Sequence, residues 1–210
     1  LYNNTTGNLN VAVGYQAAYT NTTGSGVTAI GYMAGRAFNG TPEYWGEVYV
    51  GLGAGAATTT GVSNTFVGGR AGVNNTTGNY NTALGAAALQ ANTTGANNVA
   101  IGYSALYANT TGANNTAVGY QSLYSNTTGA YNVSVGYQSM YTNTTGQNNT
   151  AVGFAALQAN STGSNSTAMG QGALASSTAS SNTAVGMQAL NKNTTGTPND
   201  AFGVGALLNN

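Results

Sequence analysis

One short sequence unit recurs twelve times along this chain, and its period of about 17 residues decides what the chain can fold into. Each unit contains a glycine that follows one residue of mostly small size and one apolar residue, and nine of the eleven spacings between these marker glycines are identical. Internal periods of 20 to 50 residues are typical of solenoids and propellers, and we interpret this slightly shorter period as a stacked repeat fold too. The marker glycines are Gly14, Gly31, Gly51, Gly68, Gly85, Gly102, Gly119, Gly136, Gly153, Gly170, Gly186 and Gly203.

Two spacings differ from the period, and neither interrupts the array. The step from Gly31 to Gly51 is three positions longer than the others, and the step from Gly170 to Gly186 is one position shorter. The longer step predicts an insertion loop at about residues 40–47, because insertions in repeat proteins map to loops. We therefore predict a single repeat domain over residues 1–210.

The residues within one unit favour β-structure over helix. Each unit holds two glycines, and each glycine costs a helix about 1 kcal/mol relative to alanine. In the seventh unit, residues 116–120 are typical of a short strand, residues 122–124 of a second strand, and residues 126–129 of a turn. One such coil cannot bury its own apolar face, but stacked coils can. The sequence thus predicts an all-β fold, a parallel β-solenoid (β-roll) of twelve coils with two short strands per coil.

The rows formed by equivalent residues predict which side of each strand is buried. The residue before each marker glycine is apolar, and we expect this row to be the dry spine of the solenoid. The preceding residue is mostly alanine, and because neighbours in a strand point to opposite faces, we expect this small row to face outward. A second small row runs from Ala17 to Ala206, and we expect the small faces to contact another copy. The predicted spine is Val13, Ile30, Val50, Val67, Leu84, Ile101, Val118, Val135, Val152, Met169, Val185 and Phe202.

Asparagine occupies the first position of the unit in nine of the twelve coils, including Asn64, Asn98, Asn115 and Asn182. Stacked asparagines can hydrogen-bond along the stacking direction, as they do in cross-β assemblies. We therefore predict an asparagine ladder along the solenoid.

The composition disfavours catalytic sites, metal sites and nucleic-acid binding. The chain has three Lys plus Arg, three Asp plus Glu, no His and no Cys. Metal sites and acid–base centres are built from the residue types that are scarce here, so we expect no enzyme, no catalytic residue, no cofactor and no metal. A formal net charge of zero gives no basic field, so we expect no nucleic-acid partner. The apolar runs are short, and we expect no membrane insertion by this segment.

The predicted insertion loop is the candidate recognition loop, with Glu43, Tyr44, Trp45 and Glu47 as its residues. It carries the one tryptophan and two of the three acidic residues. The alternative interpretation is a loop packed over its own coil, with Arg36 or Arg70 pairing a glutamate.

Two tyrosine rows form a candidate aromatic ladder. Such rows can stack on sugar rings, or they can stabilise neighbouring strands by up to about 1 kcal/mol per pair without binding anything. The rows are Tyr103, Tyr120 and Tyr137, continued by Phe154, and Tyr107, Tyr124 and Tyr141.

A sequence of the form Asn-Thr-Thr recurs at one turn and makes its asparagines candidate N-glycosylation sites. The alternative is that the turn itself prefers Asn and Thr. The candidate asparagines are Asn4, Asn21, Asn92, Asn109, Asn126, Asn143 and Asn193.

The segments Asn98-Val99-Ala100-Ile101-Gly102, Asn115-Thr116-Ala117-Val118-Gly119 and Ser181-Asn182-Thr183-Ala184-Val185-Gly186 resemble the head repeats of trimeric autotransporter adhesins, the YadA-like family. The whole unit is also similar to repeats of phage-type tail-fibre proteins. The resemblance implies a left-handed β-roll, a homotrimer and a location on a cell surface or virion fibre.

The leading functional hypothesis is a non-catalytic structural solenoid of an extracellular fibre, filament or surface adhesin. We expect it to associate with itself through its small-residue faces and uncapped ends, as a trimer or an end-to-end filament. The first alternative is an ice-binding solenoid, because Thr recurs at one strand position. It is disfavoured because the residue two positions along belongs to the predicted spine, so a flat Thr-x-Thr plane is absent. The second alternative is a carbohydrate-binding adhesin head that contacts glycans or a cell surface through the tyrosine rows or the Trp45 loop.

Overall fold

The structure, a computed structural model that describes residues 1–40 and 46–210, is a single twelve-stranded parallel sheet wound into a β-solenoid. The predicted solenoid fold and its coils of about 17 residues are confirmed. The strands are β1 (Val11–Val13), β2 (Val27–Ile30), β3 (Glu47–Val50), β4 (Thr65–Val67), β5 (Thr82–Leu84), β6 (Val99–Ile101), β7 (Thr116–Val118), β8 (Val133–Val135), β9 (Thr150–Val152), β10 (Thr167–Met169), β11 (Thr183–Val185) and β12 (Asp200–Phe202).

Each strand pairs in parallel with the strands of the preceding and following coils, in the order β1 to β12. The pairing follows the repeat: Thr116 lies beside Val133, and Val118 beside Val135. Residues at the same position of the unit therefore stack into rows along the solenoid. The side of the solenoid formed by the outward-pointing residues of β1 to β12 is called the sheet face below.

The second predicted strand, residues 122–124, is not formed. The chain makes a series of tight turns there, in which Gln121 (φ 51°) and Leu123 (φ 53°) take the left-handed conformation. These turns still join coil to coil, because the Leu123 N–H donates to the Ser139 carbonyl at 3.0 Å and the Ser125 N–H donates to the Tyr141 carbonyl at 3.1 Å. Each coil thus has one strand and, opposite it, one wall of turns, whose outer surface is called the turn face.

The predicted spine is wrong, because the apolar row before the marker glycines points outward. Ala117 is fully buried, whereas its neighbour Val118 is half-buried and Val13 is 58% exposed. Both small rows, represented by Ala117 and Ser122, lie in the core, so they are not the predicted contact surface between copies. The interior is completed by a bulky row from the turn wall, which is Leu89, Leu106, Leu123, Met140, Leu157, Leu174 and Leu190.

The width of the coil explains this arrangement. A strand residue and a turn-wall residue share the interior, and a close-packed interior has room for only one bulky side chain between them. Where the strand supplies Phe66 in place of alanine, the turn wall supplies Gly72 in place of leucine. A Cβ atom added to Gly72 would lie 2.6 Å from the Phe66 ring. Alanine on the strand is therefore the partner that leucine on the turn wall requires.

The predicted asparagine ladder is confirmed. The Asn115 N–H donates to Oδ1 of Asn98 at 3.0 Å, and Nδ2 of Asn115 donates to the Gly129 carbonyl at 2.9 Å. A second ladder joins Nδ2 of Asn126 to Oδ1 of Asn109 at 2.8 Å, and it lies beside the first, because Asn126 and Asn115 both donate to the Gly129 carbonyl. These asparagines are buried, and buried polar groups of a native protein are almost always hydrogen-bonded. The ladders thus provide hydrogen-bond partners for the asparagine side chains that this polar sequence buries.

Candidate binding surfaces

The sheet face runs along all twelve strands of the solenoid, and it is uncharged from β1 to β11. The strand period of two sends Thr116 and Val118 outward and Ala117 inward, and the same alternation holds in every coil. The outward residues at the Thr116 position are Val11, Thr28, Val48, Thr65, Thr82, Val99, Thr116, Val133, Thr150, Thr167 and Thr183, followed by Asp200 in β12.

The second outward row of the sheet face is the apolar row that precedes the marker glycines. Its exposure is 39% at Ile30, 48% at Leu84 and 45% at Met169. Twelve strands at a spacing of about 4.8 Å make this face roughly 58 Å long. Large continuous apolar surfaces are rare on monomeric proteins and mark sites of interaction. The sheet face is therefore a candidate contact surface, and sequence reasoning missed it because it placed this row inside.

The structure brings the predicted tyrosine rows together as two parallel ladders on the turn face. Ring centroids are 5.5 Å apart for Tyr103 and Tyr120, and 5.2 Å apart for Tyr120 and Tyr137. In the second ladder, Tyr107 and Tyr124 are 5.0 Å apart, and Tyr124 and Tyr141 are 5.1 Å apart. All these pairs are stacked with nearly parallel rings. Desolvation, followed by the neighbouring Tyr107, raises the pKa of Tyr124 above its ordinary value.

A cleft of about 390 Å³ lies at the beginning of the two ladders. The row that holds Tyr103 and Tyr120 holds only Gly69 and Ala86 in the two preceding coils, so the cleft is open where those rings are missing. Sequence reasoning missed Arg70 and Gln90 here; the signal was the break in the tyrosine row. The cleft is lined by Gly69, Arg70, Ala86, Ala87, Gln90, Tyr103, Ser104, Tyr107, Gln121 and Tyr124.

The predicted recognition loop is described only in part. Glu43, Tyr44 and Trp45 lie outside the described residues. Glu47, which we expected in the same loop, is instead the first residue of β3 and is fully buried, so its prediction as a surface contact is wrong. Counting from Gly51 explains this, because Glu47 occupies the position that asparagine holds in most other coils.

Glu47 makes specific contacts inside the coil. Its Oε2 accepts a hydrogen bond of 2.7 Å from the Tyr49 hydroxyl and one of 3.1 Å from the Asn64 N–H. Within the described residues, the donors to Glu47 are Tyr49 and Asn64, and neither Arg36 nor Arg70 donates to it. Burial raises the pKa of the Glu47 carboxyl to about 7, although the hydrogen bonds from Tyr49 and Asn64 oppose that rise.

The candidate glycosylation sites are wrong in the folded chain. Six of the seven asparagines are buried, and the seventh, Asn4, is half-buried. Each Nδ2 atom, to which a glycan would be attached, already donates to the carbonyl of the glycine three residues later. The distances are 2.9 to 3.2 Å. A glycan at these atoms would have to displace the turn, so the recurrence of Asn-Thr-Thr reflects turn formation.

Other site chemistry can be described only for residues 1–40 and 46–210. No three His, Cys, Asp or Glu side chains in these ranges lie together as a metal site. The same residues form no helix that is long and apolar enough to cross a membrane. Comparison with protein-family models, with characterised proteins and with solved structures gives no match to this chain.

Proposed function

We propose that this chain is a non-catalytic structural rod that associates side by side with copies of itself through the sheet face. One observation carries this proposal: the outward residues of β1 to β11 are all Thr, Val, Ile, Leu or Met, with no charge over these eleven strands. Charged side chains are what normally protect an exposed sheet from association.

A second copy is the partner that this face fits best. Two copies have the same spacing along the rod, about 4.8 Å per coil, so ridges of one face can fit the grooves of the other over many coils. A face of roughly 58 Å by 10 Å would bury about 1,200 Å² in a pair, which reaches the lower range of stable interfaces. Neither copy brings a charge that would be buried unpaired in β1 to β11.

We further propose that the rod belongs to an extracellular fibre or a surface adhesin. Support comes from the resemblance of the unit to adhesin-head and tail-fibre repeats. The sheet-face contact serves a trimer or a laterally associated filament equally well.

The test compares the mass of the particle before and after charges are placed on the sheet face. We expect light scattering and sedimentation to give an oligomer for the wild-type chain. We expect the V118K/V135K variant to be a monomer with an unchanged far-UV circular dichroism spectrum. The control is T128K/T145K, which places the same charges at exposed turn positions and should keep the wild-type mass. A wild-type chain that is monomeric at 100-fold higher concentration would refute the proposal.

Ice binding is a second candidate, and the orientation of the strands favours it. The objection from the sequence is that the residue two positions after the threonine is buried, but Val118 points outward beside Thr116. The sheet face is thus a regular array with repeats of about 4.8 Å across and 6.8 Å along the strands. Thermal hysteresis in a freezing assay, lost in T116K/T150K, would support this candidate. No hysteresis in a chain shown to be monomeric would exclude it.

A further inference from the structure

Tyr103 presents a free aromatic face at the beginning of its ladder. Within a ladder, each ring is covered on both sides by neighbours at 5.2 to 5.5 Å, as Tyr120 is by Tyr103 and Tyr137. Tyr103 has such a neighbour on one side only, because the preceding coils hold Ala86 and Gly69 at this position. Its side chain is 53% exposed, compared with 43% for Tyr120. A flat partner can therefore stack on Tyr103 at this step.

The space beside this ring has a defined length and polar walls. Two coils without a ring leave a gap of roughly 10 Å along the rod, within the cleft of about 390 Å³. Gln90 and Tyr107 bound one side, with the Gln90 amide 3.4 Å from the Tyr107 hydroxyl. Arg70 is exposed and lines the cleft two coils before Tyr103, on the coil that carries Gly69.

We propose that this cleft binds an acidic oligosaccharide, with one uronic acid ring stacked on Tyr103. The apolar face of a pyranose ring matches an exposed aromatic face, and amide and hydroxyl groups at the edge match its hydroxyls. Gln90, Gln121 and the Tyr107 hydroxyl supply these groups. The Arg70 guanidinium donates to the carboxylate, because its planar fork pairs with two carboxylate oxygens. No acidic side chain is among the described residues that line the cleft.

The charge of the chain favours a sugar over a nucleic acid as the stacked ligand. Bases also stack on aromatic rings, but proteins that bind single strands combine stacking with a row of cations along the backbone. This chain has three Lys plus Arg in total, and Arg70 is the one that lines the cleft. A single cation suits a single carboxylate.

The test is calorimetric titration of the whole chain with a galacturonic acid tetrasaccharide and with the corresponding neutral galactose tetrasaccharide. We expect the acidic sugar to bind more tightly than the neutral one. Tyr103→Ala should weaken binding of both sugars about tenfold, since the stacking surface is lost. Arg70→Gln should weaken only the acidic sugar and bring the two affinities together.

Tyr131→Ala is the matched control, because Tyr131 is 60% exposed and does not line the cleft. It should bind both sugars as the wild type does. The proposal is overturned if neither sugar binds, if Tyr131→Ala weakens binding as much as Tyr103→Ala, or if a single-stranded oligonucleotide binds as tightly as the acidic sugar. The cleft lies on the turn face, so V118K/V135K should bind the sugar normally, and the outcome is independent of self-association.

Discussion

The hydroxyl of Tyr49 donates a 2.7 Å hydrogen bond to Oε2 of Glu47 inside the third coil. Most other coils hold alanine and asparagine at these two positions, so this coil replaces a neutral amide with a buried carboxyl group. Burial also raises the pKa of Tyr49 well above its ordinary value, with the Glu47 carboxylate as a second cause. Tyr49 therefore stays protonated, and Glu47 is the group of this pair that titrates near neutral pH.

The first prediction is that the folded chain loses stability as pH rises from 4.5 to 7. The Glu47 pKa is raised from 4.5 to about 7 on folding, so between these values the folded state binds more protons than the unfolded state. The stabilisation is fully present below pH 4.5 and is lost as pH rises through 7. A rise of this size corresponds to about 3 kcal/mol. Urea unfolding followed by circular dichroism at pH 4.5 and 8 measures it.

Glu47→Gln should remove this pH dependence, because the amide keeps its size and does not ionise. Asp200→Asn is the control, since Asp200 is exposed on β12 and should leave the dependence unchanged. A wild-type chain that is equally stable at both pH values would contradict the burial of Glu47.

The second prediction concerns the asparagine ladder at the turn. Nδ2 of Asn126 donates to Oδ1 of Asn109 and to the Gly129 carbonyl, and its Oδ1 accepts from Nδ2 of Asn143. Asn126→Ala leaves the buried Oδ1 of Asn109 without its donor, whereas Asn115 still donates to the Gly129 carbonyl and Asn143 to the Gly146 carbonyl. We expect the substitution to lower the free energy of unfolding by about 1–3 kcal/mol. Thr128→Ala, at an exposed position of the same turn, should change it by less than about 0.5 kcal/mol. Equal effects of the two substitutions would argue against the ladder.

The third prediction tests which side of the strand is buried. Ala117→Leu adds volume to a filled interior and should cost about 1–3 kcal/mol or more. Val118→Leu adds volume on the sheet face and should cost less than about 0.5 kcal/mol. Thermal unfolding of the two variants gives the comparison. The reverse order of stability would restore the apolar row as the spine.

The fourth prediction is a size exchange across the coil. Ala117→Phe alone should destabilise the chain, but Ala117→Phe combined with Leu123→Gly should recover part of the loss. The reason is that Phe66 and Gly72 already form this pair at the same two positions. A double-mutant cycle should give a favourable coupling energy of about 1–3 kcal/mol. Additive effects would show that Ala117 and Leu123 do not share the interior.

The repeat period determines some features of this fold and leaves others open. The spacing of the marker glycines predicted the solenoid, and the recurrence of Asn115 and its equivalents predicted a ladder that the structure contains. Strand alternation required Ala117 and Val118 to point to opposite sides, but it could not say which side is inside. That choice depends on Leu123, which is fully buried and fills the interior from the opposite wall.

The candidate site was also predicted only in part: the sequence predicted the tyrosine ladders but not the cleft beside them. The stacking of Tyr107, Tyr124 and Tyr141 followed from their spacing alone. The cleft did not, because it is created where residues are small: Ala86 and Gly69 continue the tyrosine row without a ring. A regular spacing therefore predicts the ladders, whereas the cleft arises where the regular row is interrupted.

The asparagine ladders have a consequence for the way such a rod changes length. From Asn75 to Asn160, the turn asparagine of each coil is hydrogen-bonded to that of the next coil, and the contact repeats at every step. A duplication of one unit in the gene would insert a coil that finds the same partners, and it would lengthen the rod by about 4.8 Å. The length of the rod is thus set by the number of units. Recombination within the repeats can lengthen or shorten the rod without changing the packing of the core.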